Sequence, residues 1–222
     1  MKTLLLLSGG LDSTVLLAKM RSYGDEVMAL TIQYGQIQHK EIECARFQAN
    51  KYNVDWNYID ISNVFKSILH PMLNSMISMP EGSYADQLKE AGGKGVVKTY
   101  VPNRNMLLLS AAGSMALARG AKHVAFAAHM DDAAGGAYPD CTPEFASRMN
   151  EVLHTQGLSL FAPFIDKTKA QIVQKGFDLN VDFAHTWSCY KGGAIPCGVC
   201  GTCIDRQRAF EAVGIKDPLM EA

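Results

Sequence analysis

Apolar and polar positions alternate in blocks along this chain. Thr3-Leu4-Leu5-Leu6-Leu7 is a short unbroken apolar run followed by a polar, glycine-containing stretch, the pattern of a strand buried on both faces of a parallel sheet. Thr14 to Tyr23 has helical spacing, and Gly24 is placed to stop it. Glu26 to Ile32 predicts a second strand and His39 to Tyr52 a helix, with Ile42, Ala45, Arg46 and Ala49 at helical intervals. Val54 to Ile61, with Trp56, Tyr58 and Ile61, predicts a third strand. This βαβαβ rhythm predicts an α/β fold with a doubly wound, mostly parallel sheet.

Residues 71–98 break the rhythm. Pro71, Pro80, Gly82, Gly92, Gly93 and Gly95 punctuate a stretch that holds Met72, Met76 and Met79. Such a stretch reads as a lid or an insertion, or as a partly helical surface excursion. After it come an all-round apolar helix, Met106 to Arg119, expected to be well buried, and a strand, Val124 to Ala128. Pro143 to Gly157 predicts a helix with Thr142 as N-cap, and Leu158 to Phe164 a strand. Lys167 opens a further helix that Gly176 is placed to end, and Ile204 to Val213 closes the series ahead of Gly214. The division expected is an α/β domain over 1–184 and a cysteine-bearing segment over 185–222 packed on the same domain.

Length and composition change this picture little. At 222 residues, 48% hydrophobic and 19% charged, the chain suits one well-cored domain. A formal net charge of −1 gives no broad basic face for nucleic acid. The apolar run after Lys2 is too short for a signal peptide, and no run reaches the roughly 20 residues that span a bilayer. A cytoplasmic enzyme, without a membrane partner, is the expectation.

The chemistry begins at Ser8-Gly9-Gly10-Leu11-Asp12-Ser13. A glycine-rich turn between a strand and a helix gathers backbone N–H groups and the helix's positive end, which makes an anion site. It is not a Walker A loop, because no Gly-Lys-Ser/Thr follows. Asp12 fits beside phosphate only if a cation such as Mg²⁺ bridges the two. Arg104, ahead of the 106–119 helix, marks a second candidate anion site. Of the six cysteines, four follow the pattern Cys189-x₇-Cys197-x₂-Cys200-x₂-Cys203. Four thiolates so close in sequence suit one structural Zn²⁺ with no open position. An iron–sulfur cluster is the rival for such a run.

The glycine-rich turn resembles the SGGxDS loop of the PP-loop ATP pyrophosphatase superfamily, whose members cut ATP between its α- and β-phosphates. Further blocks narrow the resemblance: Tyr34-Gly35-Gln36 with His39, Val101-Pro102-x-Arg104-Asn105, Tyr138-Pro139-Asp140-Cys141 with Pro143-Glu144-Phe145, Lys167-Thr168-Lys169, and Thr186-Trp187-Ser188-Cys189. From Ser8 to Cys203 the chain is similar to the 7-cyano-7-deazaguanine synthase family. It departs where that family often has Asp-Tyr-Ser-Gly, carrying Asp132-Ala133-Ala134-Gly135-Gly136-Ala137 instead.

The resemblance implies an ATP-dependent ligase acting on 7-carboxy-7-deazaguanine and ammonia, with ATP, Mg²⁺ and structural Zn²⁺, and a homodimer. It implies a nucleotide site of Leu7, Ser8, Gly9, Gly10, Leu11, Asp12, Ser13, Thr14 and Lys169. Asp12, Lys167 and Arg104 would act on the phosphates and their cation. Asp132, Tyr138, Asp140 and Cys141 would meet the base. Cys189, Cys197, Cys200 and Cys203 would hold the zinc. Trp187 reads as packing beside the metal loop or as part of a ring slot, Cys44 as core, and His39 and His129 as proton carriers or loop hydrogen-bonders. Two other functions share these features: a tRNA thiolase, which the charge balance disfavours, and a relative that transfers the activated acid to an amine on a macromolecule.

Overall fold

A computed structural model describes residues 1–93 and 95–220. Five strands form one parallel sheet: β1 Lys2–Leu6, β2 Glu26–Gln33, β3 Asp55–Asp60, β4 His123–Ala125 and β5 Ser159–Phe161. Their order is β3-β2-β1-β4-β5. The chain winds outward from β1 through β2 and β3, then returns to place β4 on its other side. The crevice beyond the carboxyl ends of β1 and β4 is thus the topological switch point, where open α/β sheets bind ligands.

The helices are α1 Leu11–Ser22, α2 Lys40–Lys51, α3 Ser62–Phe65, α4 Tyr84–Glu90, α5 Arg104–Ala118, α6 Met130–Ala133, α7 Pro143–His154, α8 Lys169–Asp178 and α9 Gly201–Ala212. Successive leucines of β1 point to opposite faces and both are fully buried. Leu4 packs with Leu30, Val124, Leu109 and Ala112 on the α5 side. Leu5 packs with Val15, Ala29, Ile172 and Phe210 on the side of α1, α8 and α9. A third cluster joins Trp187 and the cysteines to Tyr34, Phe65, Met72, Met79 and Val101.

Several boundaries differ from the sequence expectation. The first helix begins at Leu11, with Gly10 at its N-cap, so Asp12 and Ser13 belong to its first turn. Arg104 is the first residue of α5, entered through Asn103 in the left-handed conformation (φ 61°). That helix is only partly covered: Leu109, Ala112, Gly113 and Ala116 are buried against the sheet, whereas Met106 and Leu117 are exposed. Gly176 does not end α8 but lies inside it. A Cβ there would come within 2.5 Å of Phe183 Cζ and 2.7 Å of Val15 Cγ2, so this glycine permits close packing. β4 and β5 are each three residues long. Within 71–98, Ser83 and Asp86 form a reciprocal capping box that starts α4. Met72 and Met79 are buried there, whereas Met76 is exposed.

Candidate active site

The turn after β1 is braced from within and from outside. Ser8 Oγ accepts from Gly10 N at 3.1 Å and lies 3.1 Å from Ser13 Oγ, which also donates to Gly10 O. Gly9 has φ 86°, and a Cβ would stand 2.0 Å from Glu41 O. Both the left-handed backbone and the contact with α2 therefore require glycine. Trp187 N–H donates to Gly9 O at 3.0 Å, tying the cysteine segment to the turn.

A cavity of about 210 Å³ opens at the switch point. Leu7, Ser8, Gly10, Leu11, Asp12 and Ser13 line one side, with Lys169 and Asp132 next to them. Lys169 is buried with its Nζ 3.4 Å from Asp12 Oδ2. Its backbone N–H donates to Asp131 Oδ2 at 2.7 Å, and Thr168 and Gln171 cap the start of α8. Burial alone would raise the Asp12 carboxyl, but Lys169 and His129 together hold it below its ordinary value. Burial likewise opposes the Lys169 ammonium, and Asp12 and Asp132 outweigh it and raise its proton affinity. His129 is 1% exposed, 3.2 Å from Asp132 Oδ2 and 3.7 Å from Asp12 Oδ2. Asp12 Oδ1 is buried and has no hydrogen-bond partner among the described residues. An orphaned carboxylate oxygen beside an anion-binding turn suits a hard divalent cation.

The opposite wall carries Arg104, whose guanidinium donates to Asn105 Oδ1 at 3.1 Å and to Tyr34 Oη at 3.3 Å. Gln36, Gln38 and Glu41 line the same wall. Burial pushes the Glu41 carboxyl up to about 8 against the pull of Arg104. Tyr84 from α4 and Trp187, Ser188, Tyr190 and Thr202 from the cysteine segment complete the lining.

The residues expected to meet the base divide. Asp132 and Cys141 line the cavity; Tyr138 and Asp140 lie behind it. Asp140 Oδ2 accepts from Asn105 N at 3.2 Å, at the start of α5. Tyr138 Oη pairs with Thr99 Oγ1 at 2.5 Å, its ring packs edge-on to Tyr84 at 5.3 Å, and burial pushes its hydroxyl up to about 12. Burial also raises the Cys141 thiol well above its ordinary value, with Asp132 and Asp140 adding to the effect, which disfavours a thiolate nucleophile. Lys167 stands outside the lining, half-exposed and paired with Asp166 at 3.1 Å. Gly9 and Thr14 are also outside it, Gly9 against α2 and Thr14 bonded through Oγ1 to Gly10 O.

The sulfurs of Cys189, Cys197, Cys200 and Cys203 lie within 4.8 Å of one another, with Cys197 and Cys203 at 3.9 Å. Tetrahedral Zn–S bonds of about 2.3 Å place sulfurs roughly 3.8 Å apart, so the donor set fits one thiophilic ion. Cys197 and Cys200 N–H groups donate to Cys189 and Cys197 sulfurs, as befits thiolate acceptors.

Glu41, Gln38, Tyr84 and Tyr190 were not singled out from sequence as site residues. Gln38 and Glu41 flank His39 and Tyr190 follows Cys189, so adjacency to a quoted block was their one signal; Tyr84, in α4, had none. His129 had a weak signal in its place after a strand, and its neighbours show why: it sits among Asp12, Asp132 and Lys169.

Comparison with known proteins agrees with this layout. Over residues 2–214 the chain matches the family described as "Queuosine biosynthesis protein QueC". It is 40% identical to 7-cyano-7-deazaguanine synthase of Caldicellulosiruptor bescii, over 99% of this chain and 96% of that protein. It is 42% identical to 7-cyano-7-deazaguanine synthase of Archaeoglobus fulgidus, over 99% and 90%. In three dimensions it resembles the NMN synthetase of Francisella tularensis, with a TM-score of 0.56 at 15% identity, over 99% of this chain and 80% of that one, a likeness of fold. On the family match and these near-full-length relatives, the chain belongs to the QueC family.

Proposed function

We propose that this protein is an ATP-dependent ligase that converts 7-carboxy-7-deazaguanine and ammonia to 7-cyano-7-deazaguanine. The observation that carries the reading is its near-full-length similarity to synthases of that name. One cavity at the switch point, lined by the glycine-rich turn, supports it.

The substrate carboxylate attacks the α-phosphorus of ATP, and the bond to the bridging oxygen breaks to release pyrophosphate. Ammonia adds to the acyl carbon of the adenylate, AMP leaves, and a proton is lost to give the amide. The amide oxygen then attacks a second ATP, pyrophosphate leaves again, and loss of AMP and the N–H protons gives the nitrile. Both rounds activate an oxygen on the same carbon, so one cavity serves both. Positioning and charge stabilisation are the protein's contribution.

The turn from Leu7 to Thr14 would hold the phosphates, with Ser8 and Ser13 hydroxyls and Gly10 N–H nearest the cavity. Lys169 and Arg104, on facing walls, would balance phosphate charge; Lys167 would have to swing in from its pair with Asp166. Asp12 would hold Mg²⁺, which supplies charge neutralisation of the phosphates when bound. Asp132 and Cys141 would contact the base directly, and Tyr138 and Asp140 would support them from behind. The four cysteines would hold structural Zn²⁺. The α/β domain would span 1–184, with 185–222 forming one wall of its site, and 71–98 would contribute Tyr84 as a lid-like edge. No helix among the described residues is long and apolar enough to cross a membrane. A cytoplasmic homodimer is proposed, as the family suggests.

The amide offers a test. Supplied in place of the acid, it should be converted to nitrile with one AMP per product and without added ammonia. Failure to accept the amide would separate the two rounds and overturn the single-cavity scheme.

A further inference from the structure

The reaction needs ammonia as a nucleophile, yet at neutral pH it arrives mostly as ammonium, which has no lone pair. A site for it must offer acceptors to hold the cation and a base to take one proton. The wall between β2 and α2 offers both. Gln38 is 1% exposed and lines the cavity; its side chain bonds to Glu41 and Tyr34, while its amide oxygen has no hydrogen-bond partner among the described residues. An unpaired buried acceptor is costly and awaits a donor. Glu41, one turn further on, lines the same wall. Tyr34 also lines it, with the Arg104 guanidinium over its ring at 5.4 Å, so the acceptors for a small cation on this wall are Gln38 and Glu41.

We propose that Gln38 and Glu41, beside Tyr34, form the ammonium site of this enzyme, with Glu41 as the base that frees ammonia for attack on the adenylate. The proposal rests on the ligase reading above. Ammonium is held by N–H bonds to the Gln38 amide oxygen and the Glu41 carboxylate. One N–H proton passes to the Glu41 carboxylate. The freed lone pair forms the C–N bond to the acyl carbon, and the C–O bond to AMP breaks, AMP keeping the electron pair. The adduct nitrogen loses its extra proton to solvent, and Glu41 returns its own to solvent before the next turnover. The affinity of this carboxyl for protons near neutrality, set by burial, suits such a base. Arg104, on α5, keeps part of the ionised form available.

The two half-reactions separate the possibilities. Acid-dependent exchange of labelled pyrophosphate into ATP reports adenylation and needs no ammonia. Glu41→Gln should lower amide formation at fixed ammonium about 10²-fold more than it lowers exchange, the range of a lost general base. Gln38→Leu should raise the KM for ammonium about tenfold, a change larger than any in exchange. Hydroxylamine, already neutral at neutral pH, should restore acyl transfer in Glu41→Gln. Equal loss of exchange and amide formation, an unchanged ammonium dependence, or no rescue by hydroxylamine would overturn the assignment. Wild-type exchange without any nitrile product would instead count against the ligase reading itself.

Discussion

Trp187 N–H donates to the carbonyl oxygen of Gly9 at 3.0 Å, so the residue two before Cys189 holds the middle of the glycine-rich turn. The indole N–H in turn donates to Cys189 O at 2.9 Å. The cysteine segment and the glycine-rich turn are therefore joined through Trp187. The cysteine segment is a wall of the cavity as well as a fold element, and Trp187 both packs in the third cluster and lines the cavity.

Removal of the metal should show this coupling. Stripping with a strong chelator should release about one zinc per chain, as a single four-sulfur site requires. It should lower the Tm and also weaken ATP binding in protein that is still folded. Cys200→Ser should do both. Calorimetry with ATP titration checks the pair, and a lowered Tm with unchanged ATP affinity would make the loop a remote staple.

Gly9→Ala should be severely destabilising. The left-handed backbone alone costs an alanine about 1–2 kcal/mol, and the new methyl would meet the backbone of α2 at Glu41 and Ala45. Urea unfolding should show the loss, together with poor soluble yield. Gly10→Ala, whose Cβ would meet only Ser8 Oγ at 3.2 Å and Trp187 O at 3.5 Å, should be much milder.

Asp12→Asn should reduce turnover by roughly 10²-fold, the scale of losing one charge-stabilising group at a reacting centre, while the protein stays folded. Near wild-type rates at saturating Mg²⁺ would show that the carboxylate is dispensable.

Glu41 should make stability depend on pH. Its ordinary value is 4.5 and the folded protein holds it at about 8. The folded state thus binds the proton more tightly than the unfolded one, and the contribution of this group to stability falls as pH rises between those values. Glu41→Gln removes the effect. The Tm of the variant should gain on wild type as pH goes from about 5 to about 8, then level off. A difference independent of pH would show an ordinary, solvated carboxyl.

The sequence announced the turn, the four cysteines and the βαβαβ opening because each depends on neighbours in the chain. The glycine-rich turn needs Gly9 and Gly10 adjacent, and the cysteine cluster forms from residues within a few positions of one another. What escaped depends on contacts between distant segments. Gly176 looks like a helix stop until Phe183 and Val15 are seen against it. Asp140 looks ready for a base until Asn105 N is found donating to it. Glu41 and Tyr84 carry no motif and reach the cavity only because α2 and α4 bring them there.

Ligase activity is tested by incubation with 7-carboxy-7-deazaguanine, ATP, Mg²⁺ and ammonium, followed by mass spectrometry of base and nucleotide products. The acid should disappear and the nitrile appear with AMP and pyrophosphate, two of each per nitrile formed. ADP as the nucleotide product, or turnover only when an RNA or protein acceptor is added, would contradict it.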